Sequence, residues 1–320
     1  MEQVRLPHPG ARCAGYGLEK LADSERLPRI VLDGGAVARF FESSSDLPLR
    51  TLDYVPYTRF GLVPQLLAAL GADFAADLRR LLLDRRSAGF RIDIEGYRPD
   101  GDDLLKLTTA LAHAVGQPDD DVLSGTYYGR MTVTGRDLTR EKANLYQPYL
   151  TFALHTDGAA AAAETTDWLA FAKTAERDAV GGRSILLHLD DWSEAARFAA
   201  DPLGRTPLCF KLPPPSDPRQ QQWGNHARSQ VRERPLFFDW NGGLSIRFVD
   251  QFVHPRNLAE ALFLRDLSAS MHAARAIEYV TIPVGSILML NNNVWLHGRE
   301  PFAEHPELYR EIVRMRGALA

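Results

Sequence analysis

Short strand-like segments follow one another through the second half of the chain and restrict its fold more than any other pattern in the sequence. After Ser124 they include TYYGRMTVTG, YLTFALHTDG, DWLAFAKT, GGRSILLHLDDW, GLSIRFVDQFV, IEYVTIPVGSILMLNNNVWLHG and YREIVRMRG. Strands in such a series, bounded by turn residues, are typical of sandwiches and jelly rolls rather than of alternating βαβ units. The pattern predicts an α+β protein with a β-rich C-terminal part.

Helical patterns dominate the first part of the chain. VPQLLAALGADFAADLRRLLLDRRSAGF has apolar residues at helical spacing with a break at Gly71, and DDLLKLTTALAHAVGQP predicts a helix that ends at Gly116. GFRIDIEGY, between them, alternates like a short strand. Two more helices, in DDWSEAARFAADPLG and PRNLAEALFLRDLSASMHAARAIEY, are expected among the later strands.

The domain organisation follows from these patterns and from the length of the chain. The 320 residues are 45% hydrophobic and 24% charged, a composition typical of a globular protein with an extensive core. We predict one domain over residues 1–320, with a helix-rich part at 1–123 and a strand-rich core with inserted helices at 124–320. Residues 211–235 are polar and rich in proline, so we expect a long loop there.

Charge and cysteine content exclude several classes of function. The net charge is −4 and no block of Lys and Arg is present, which argues against nucleic acid as a partner. No apolar run has the length of a bilayer span, so no membrane association is expected. Cys13 and Cys209 are too far apart for a disulfide framework or a zinc motif, and a reducing, cytoplasmic setting is expected.

Two histidines and one aspartate form the strongest candidate site. His155 and Asp157 end the apolar run LTFALHTDG two residues apart, so on a strand both side chains point to one face. His297 ends another apolar run, SILMLNNNVWLHG. Two histidines and a carboxylate form the triad that holds Fe(II) and leaves positions open for O₂ and a chelating co-substrate. Zinc is the rival metal, but the chain has no HExxH helix or cysteine pair.

A second His-x-Asp pair, His188 and Asp190 in LLHLDDW, has the same spacing as the first. It runs directly into a predicted helix, where Asp190 or Asp191 can act as the N-cap. The first pair is instead followed by Gly158 and a run of alanines, a composition that favours an open strand end. We therefore predict a structural role for His188.

The segment YREIVRMRG places Arg310, Arg314 and Arg316 at alternate positions, so a strand would project all three to one face. Arginine is suited to a bidentate grip on a carboxylate, whereas cations along an exposed sheet edge are the alternative explanation. Ser184, in GGRS, lies about one strand after the first His-x-Asp pair and can share such a carboxylate. The pattern favours a carboxylate-binding site on this strand.

Taken together, these motifs resemble those of the Fe(II)/2-oxoglutarate-dependent dioxygenases of the taurine-dioxygenase and clavaminate-synthase type. The resemblance is closest to the carbon-starvation-induced glutarate 2-hydroxylase family. Matching stretches, between residues 50 and 317, are SGTYYGRMTV, HTDG, GGRSILLHLDDW, FVDQFVHP, IPVGSILMLNN, WLHGRE and LYREIVRMRG. The resemblance implies a double-stranded β-helix (a cupin-like jelly roll) with flanking helices, a small-molecule substrate and a homo-oligomer, namely a tetramer.

The resemblance also implies the roles of the site residues. His155, Asp157 and His297 would hold Fe(II) as the catalytic metal ligands. The co-substrate 2-oxoglutarate would chelate the iron, with its distal carboxylate on Arg310 and Ser184. O₂ would then oxidise an aliphatic C–H bond while 2-oxoglutarate is converted to succinate and CO₂. Arg314 is a second candidate for co-substrate binding. The candidates for substrate binding are Arg316, Tyr127, Tyr128, Arg130 and Glu164, with Arg314 as an alternative to Arg316.

The substrate is less tightly constrained by the sequence. HTDGAAAAAETTD has alanines and one extra residue where the family has larger side chains, and Glu164 and Asp167 follow nearby. Room for a longer chain that ends in an ammonium favours free L-lysine, hydroxylated at C4. Glutarate 2-hydroxylation is the alternative, and the alanines can also belong to a lid loop. A non-catalytic jelly roll that binds small acids and a cupin isomerase are the alternatives of another class.

Overall fold

The computed structural model describes residues 15–121, 124–135, 147–159, 166–211 and 231–319. They form an α+β structure in which two β-sheets face each other, with helices on the outer side of the larger sheet. The alanine run at 160–163, Glu164, and most of the predicted loop lie outside the described residues.

Seventeen strands lie in the described residues, numbered here along the chain. They are β1 (Tyr16–Lys20), β2 (Pro28–Asp33), β3 (Gly89–Glu95), β4 (Gly116–Pro118), β5 (Gly129–Thr134), β6 (Phe152–His155), β7 (Trp168–Arg177), β8 (Ser184–His188), β9 (Leu208–Phe210), β10 (Arg232–Arg234), β11 (Phe237–Trp240), β12 (Gly243–Ile246), β13 (Val253–His254), β14 (Glu278–Val280), β15 (Ile287–Asn291), β16 (Trp295–Arg299) and β17 (Tyr309–Leu319).

Nine α-helices lie in the same residues. They are α1 (Gly34–Ser43), α2 (Leu49–Tyr54), α3 (Pro56–Arg59), α4 (Leu62–Leu70), α5 (Phe74–Leu83), α6 (Gly101–Val115), α7 (Ala195–Ala200), α8 (Pro202–Arg205) and α9 (Leu258–His272). The longest helix of the first part, α6, begins where the Asp100 carboxylate accepts the N–H groups of Asp102 and Asp103, and it ends at Gly116. The predicted helix end at Gly116 and the break at Gly71, which follows α4, are therefore confirmed.

The larger sheet has the strand order β1-β2-β3-β15-β7-β17-β4, with β5 also paired to β17. The smaller sheet has the order β14-β8-β16-β6. A three-stranded sheet, β10-β9-β13, and the hairpin β11-β12 lie outside these two sheets. Strands β1 and β2 were not predicted from the sequence, and they extend the larger sheet through the parallel pair β2-β3.

An apolar interior lies between the two facing sheets. Leu169, Phe171 and Leu288 from the larger sheet pack in it with Leu186 and Trp295 from the smaller sheet. On β17, Ile312 points into this interior, whereas Val313 and Met315 pack against the helices on the other side. Because side chains alternate along a strand, the even-numbered residues of β17 from 310 to 316 face the interior.

Two further observations concern single segments. The predicted loop at 211–235 is wrong at its end, because residues 232–234 form β10 and pair with β9 in the backbone hydrogen-bonding pattern. No single helix in the described residues is long and apolar enough to cross a membrane. One pair of helical segments bent by 102°, Pro56–Leu70 with Phe74–Leu83, has the length and composition of a broken span, and most of its leucines pack in the core.

Candidate active site

His155 and His297 lie opposite each other on adjacent strands. They are paired residues of β6 and β16, with ring centroids 4.1 Å apart, and both are buried. Gly298 permits this close pairing, because a Cβ atom there would lie 2.5 Å from the carbonyl oxygen of Phe152. The strand register, rather than a loop, therefore brings the two imidazoles together.

Asp157 is fixed by its backbone at the end of β6. Its N–H donates to Oδ1 of Asn292 over 2.8 Å, and its carbonyl accepts from Nδ2 of the same side chain over 3.0 Å. The following Gly158 has φ +80°, a conformation that favours glycine. This double contact holds the Asp157 carboxylate beside the two histidines.

The donor atoms of these three residues converge. Oδ1 of Asp157 is 3.6 Å from Nε2 of His155 and 4.0 Å from Nε2 of His297, which are too long for hydrogen bonds. One ligand atom from each residue lies within 4.8 Å of the others, and no other group in the described part of the chain meets this criterion for a metal site. Two imidazoles and one carboxylate in this arrangement fit Fe(II) with open coordination positions.

The tautomer of His155 follows from a backbone contact. Its Nδ1 lies 2.8 Å from the carbonyl oxygen of Ala153. Because a carbonyl only accepts, Nδ1 carries the proton and Nε2 presents its lone pair towards Asp157. A second contact that fixes the ring in this way is usual for a metal-binding histidine.

Arg314 keeps the carboxylate of Asp157 ionised. Its guanidinium donates to Oδ2 of Asp157 over 2.9 Å and to Oδ2 of Asp121 over 2.9 Å. Burial raises the pKa of Asp157, but Arg314 and the two histidines outweigh it and hold that pKa well below its usual range. Burial and the neighbouring His155 lower the pKa of His297 well below its usual value. Asp157 is therefore ionised and His297 neutral at pH 7, as metal binding requires.

The second His-x-Asp pair has no such convergence. His188 is 1% exposed and packs edge-on against Trp295, which supports the predicted structural role. The predicted helix cap is wrong, because the Nδ1 of His188 itself accepts the N–H of Asp190 and caps the 3₁₀-helix Leu189–Asp191. Asp190 and Asp191 instead form ion pairs with Arg85 and Arg26.

Comparison with known proteins identifies the family. The family model described as CsiD matches residues 16–319. The chain belongs to the CsiD family. Glutarate 2-hydroxylase of Citrobacter koseri is 34% identical over 310 residues, which cover 96% of this chain and 91% of that protein. Glutarate 2-hydroxylase of Salmonella typhimurium is 33% identical over 312 residues, which cover 97% and 92%.

Solved structures of non-heme iron oxygenases have a similar fold. OrfP in complex with Fe, succinate and (3R,4R)-dihydroxy-L-Arg superimposes with a TM-score of 0.67 at 16% identity, covering 91% of this chain and 94% of OrfP. Asparagine oxygenase in complex with Fe(II), 2S,3S-3-hydroxyasparagine and succinate gives a TM-score of 0.64 at 14% identity, covering 90% and 92%. At these identities the likeness is one of fold.

The C-terminal arginines of the CsiD-family chain share one face, as predicted. Arg310, Arg314 and Arg316 all lie on the interior side of β17, and Arg310 is 6% exposed. In the described residues, the Nε atoms of Arg310 and Arg316 are buried without a hydrogen-bond partner. Ser184 begins β8 and pairs with Arg299 of β16, so it also lies at the rim of the interior.

Three candidate substrate residues lie on the wrong side of the larger sheet. Tyr127 is buried among the helices, where Arg59 stacks on its ring at 3.8 Å, and Tyr128 packs at the edge of the same core. Arg130 donates to Glu311, whose neighbour Arg310 points the opposite way. The sheet therefore separates these three side chains from the triad.

The two acidic residues proposed for an ammonium group have different outcomes. Glu164 lies outside the described residues. Asp167 is buried and its carboxylate accepts hydrogen bonds from Nδ2 of Asn293 and from the N–H of Leu319. Those two bonds give Asp167 a structural role in holding the end of β17.

Three further residues beside the triad were not singled out from the sequence: Asn292, Asp121 and Arg247, the last of which lines a cavity next to Asp157. The run NNN before WLHG was an available signal for Asn292, because a polar run after a strongly apolar strand needs buried partners. Asp121 and Arg247 depend on contacts between distant segments and had no signal in the sequence.

Proposed function

We propose that this chain is a glutarate 2-hydroxylase. As an Fe(II)/2-oxoglutarate-dependent hydroxylase, it would convert glutarate, 2-oxoglutarate and O₂ to 2-hydroxyglutarate, succinate and CO₂. The His155, Asp157 and His297 cluster and the family membership support the reaction class. Relatives that bear the name glutarate 2-hydroxylase are 33–34% identical over nearly the whole chain, which favours glutarate over the L-lysine substrate expected from the sequence.

The positive charge beside Asp157 is the observation that favours glutarate over L-lysine. Arg247 lines this cavity, and burial, with a contribution from Arg234, lowers the pKa of its guanidinium to about 10. The Arg247 side chain stacks on Phe238 at 4.3 Å. A partly desolvated cation gains most from an anionic ligand, so Arg247 would favour the second carboxylate of glutarate over an ammonium group.

An ammonium group pairs best with a carboxylate that has no other partner, and the described lining of this cavity offers none. Asp157 is the single carboxylate in the lining, and it is engaged by Arg314 and directed at the two histidines. Asp167 is engaged elsewhere by Asn293 and the backbone. Neither Asp157 nor Asp167 therefore offers the acidic recognition expected for L-lysine.

Different residues of the site have separate roles in the proposed reaction. His155, Asp157 and His297 would hold Fe(II), which when bound supplies the activation of O₂ for C–H oxidation. Arg310 and Ser184 would bind the distal carboxylate of 2-oxoglutarate and orient it. Phe171, whose ring is 5.3 Å from that of His297, would exclude water from one side of the triad.

We further assign the two facing sheets to the double-stranded β-helix, or jelly-roll, class. The chain passes from one sheet to the other with each successive strand from β6 to β8, and again from β14 to β17. Such alternation is what the jelly-roll winding requires. The fold of the non-heme iron oxygenases is consistent with this assignment.

A competition assay tests the proposed function. The enzyme is given Fe(II), 2-oxoglutarate and air with glutarate and L-lysine at equal concentration, and products are identified by mass. We expect 2-hydroxyglutarate with stoichiometric succinate. Hydroxylysine as the main product would overturn the choice of substrate, and the absence of succinate would overturn the reaction class.

A further inference from the structure

A β-bulge in β7 brings two charged residues to the interior. Along β17, Glu311 pairs with Ala175 and Ile312 pairs with Lys173, so Thr174 is an additional residue on β7. A bulge of this kind re-aims the side chains that follow it. Lys173 and Glu176, three residues apart, therefore lie on the same side, where Nζ of Lys173 donates to Oε1 of Glu176 over 2.6 Å.

This pair adjoins Arg310. Glu176 is the register partner of Arg310, and the Nε of Arg310 is 4.0 Å from the same Oε1 atom that Lys173 binds. Lys173 and Arg310 are only 4% and 6% exposed. One carboxylate, itself 27% exposed in its side chain, thus faces two buried cations.

Arg299 adds a third cation to this cluster. It is buried, and its guanidinium donates to the carbonyl oxygens of Gln147 and Pro148, which carry no net charge. The guanidinium carbons of Arg299 and Arg310 lie 5.0 and 5.5 Å from the centroid of the same Phe302 ring, so the two cations are neighbours. Three buried cations and one carboxylate leave an excess of positive charge, and buried charges of one sign require a counter-charge.

The cluster lies two residues further along β7 and β16 than the residues at the triad. Phe171 contacts His297, and Lys173 follows Phe171 by two residues on β7. Arg299 likewise follows His297 by two residues on β16. Two residues of a strand span about 6.6 Å. A five-carbon dicarboxylate held at the triad by one end can therefore reach the cluster with its other end.

We infer that Lys173, together with Arg310, binds the distal carboxylate of the 2-oxo acid. In the absence of the co-substrate, the Glu176 carboxylate pairs with both cations, and the co-substrate displaces it. The inference rests on the proposed function for the identity of the co-substrate. It assigns to Lys173 the selection of a dicarboxylate 2-oxo acid over a monocarboxylate one. Glu176 then weakens binding, because its carboxylate competes with that of the ligand.

Binding measurements on three variants test this inference. Dissociation constants for 2-oxoglutarate and for 2-oxobutanoate, which lacks the distal carboxylate, are measured by anaerobic calorimetry on the Fe(II)-loaded enzyme. Lys173→Met should raise the Kd of 2-oxoglutarate about tenfold, as expected for one charge-assisted hydrogen bond, and leave that of 2-oxobutanoate unchanged. Lys173→Arg, which keeps the charge, should restore most of the affinity.

Glu176→Gln should lower the Kd of 2-oxoglutarate about threefold. Lys106→Met is the matched control, because Lys106 is also a partly buried lysine, bound to the carbonyl of Ser44 in the helical layer. An unchanged Kd of 2-oxoglutarate in Lys173→Met, or equal losses for both ligands, would overturn the role of Lys173. A raised Kd in Glu176→Gln would overturn competition by Glu176. Failure of the wild-type enzyme to bind 2-oxoglutarate would instead contradict the proposed function.

Discussion

Arg314 joins the carboxylate of Asp157 to that of Asp121, with one guanidinium nitrogen donating to each over 2.9 Å. The sequence assigned Arg314 to an external carboxylate, whereas here it binds the oxygen of Asp157 that is turned away from the histidines. An arginine in this position orients a metal-binding carboxylate and keeps it ionised.

We therefore expect Arg314→Met to weaken Fe(II) binding about tenfold, because loss of a residue that orients a metal ligand typically has an effect of this size. Equilibrium titration with Fe(II), in the absence of any 2-oxo acid, measures this effect. Asp121→Asn should weaken binding in the same direction but less. Unchanged metal affinity in Arg314→Met, with weaker substrate binding alone, would return Arg314 to the role predicted from the sequence.

Alanine substitution of His155, Asp157 or His297 should abolish both stoichiometric metal binding and turnover while the circular dichroism spectrum is kept. Each substitution removes one of the three donor atoms that converge on a single point. His188→Asn serves as the matched control, since it should leave metal content unchanged. Metal loss in His188→Asn but not in His155→Ala would contradict the choice between the two His-x-Asp pairs.

Asn292→Ala should lower the free energy of unfolding by about 3 kcal/mol and weaken metal binding. Asn292 binds the backbone N–H and C=O of Asp157 and the C=O of Thr166, and buried polar groups left without partners cost about 1–3 kcal/mol each. Asn293→Ala is the control, because Asn293 binds Asp167 and should destabilise the fold without a change in metal affinity. Chemical denaturation and metal titration measure the two effects.

Arg247→Met should raise the KM for glutarate about tenfold and leave the KM for 2-oxoglutarate unchanged. The reason is the loss of a charge-assisted contact to the second carboxylate of glutarate. Arg205→Met, which removes an exposed arginine paired with Asp239, is the control. Equal changes in both KM values would show that Arg247 does not distinguish the substrate from the co-substrate.

His188 should make the fold less stable in acid. Burial lowers its pKa to about 4, whereas an unfolded histidine has a pKa of about 6.5. Between these values the unfolded chain takes up a proton that the folded chain does not. Stability from this group is therefore complete above pH 6.5 and falls by about 3 kcal/mol as the pH drops to 4. Urea denaturation across this range should show a shallower pH dependence for His188→Asn.

Local patterns in the sequence were sufficient to predict on which face of a strand a residue lies. The two-residue period of a strand placed Arg310, Arg314 and Arg316 on one side of β17, whereas Asp157 lies two residues beyond the end of β6 and approaches His155 from the following turn. Turn and helix-end residues such as Gly71 and Gly116 likewise fixed element boundaries, because their effect on the backbone is local.

The tertiary structure decided whether a given face of a strand packs against the helices or against the second sheet. Arg130 lies on β5, which pairs with β17, and Tyr127 lies just before β5. Both face the helices, because strand alternation does not say which side of a sheet another layer will cover. The bulge at Thr174 similarly reverses the alternation expected along β7 and places Glu176 beside Arg310. Only the paired strand register reveals such an additional residue.

The sequence by itself determined the chemistry of the site, since the residue types of His155, Asp157 and His297 fix which metal and charge states they can support. The tertiary structure decided which of the two His-x-Asp pairs is completed, by pairing His297 with His155 across β16 and β6. It also decided the electrostatic environment, through Arg314 and Arg247. Coulomb interactions depend on distance and burial, and both arise only when segments remote in the chain pack together.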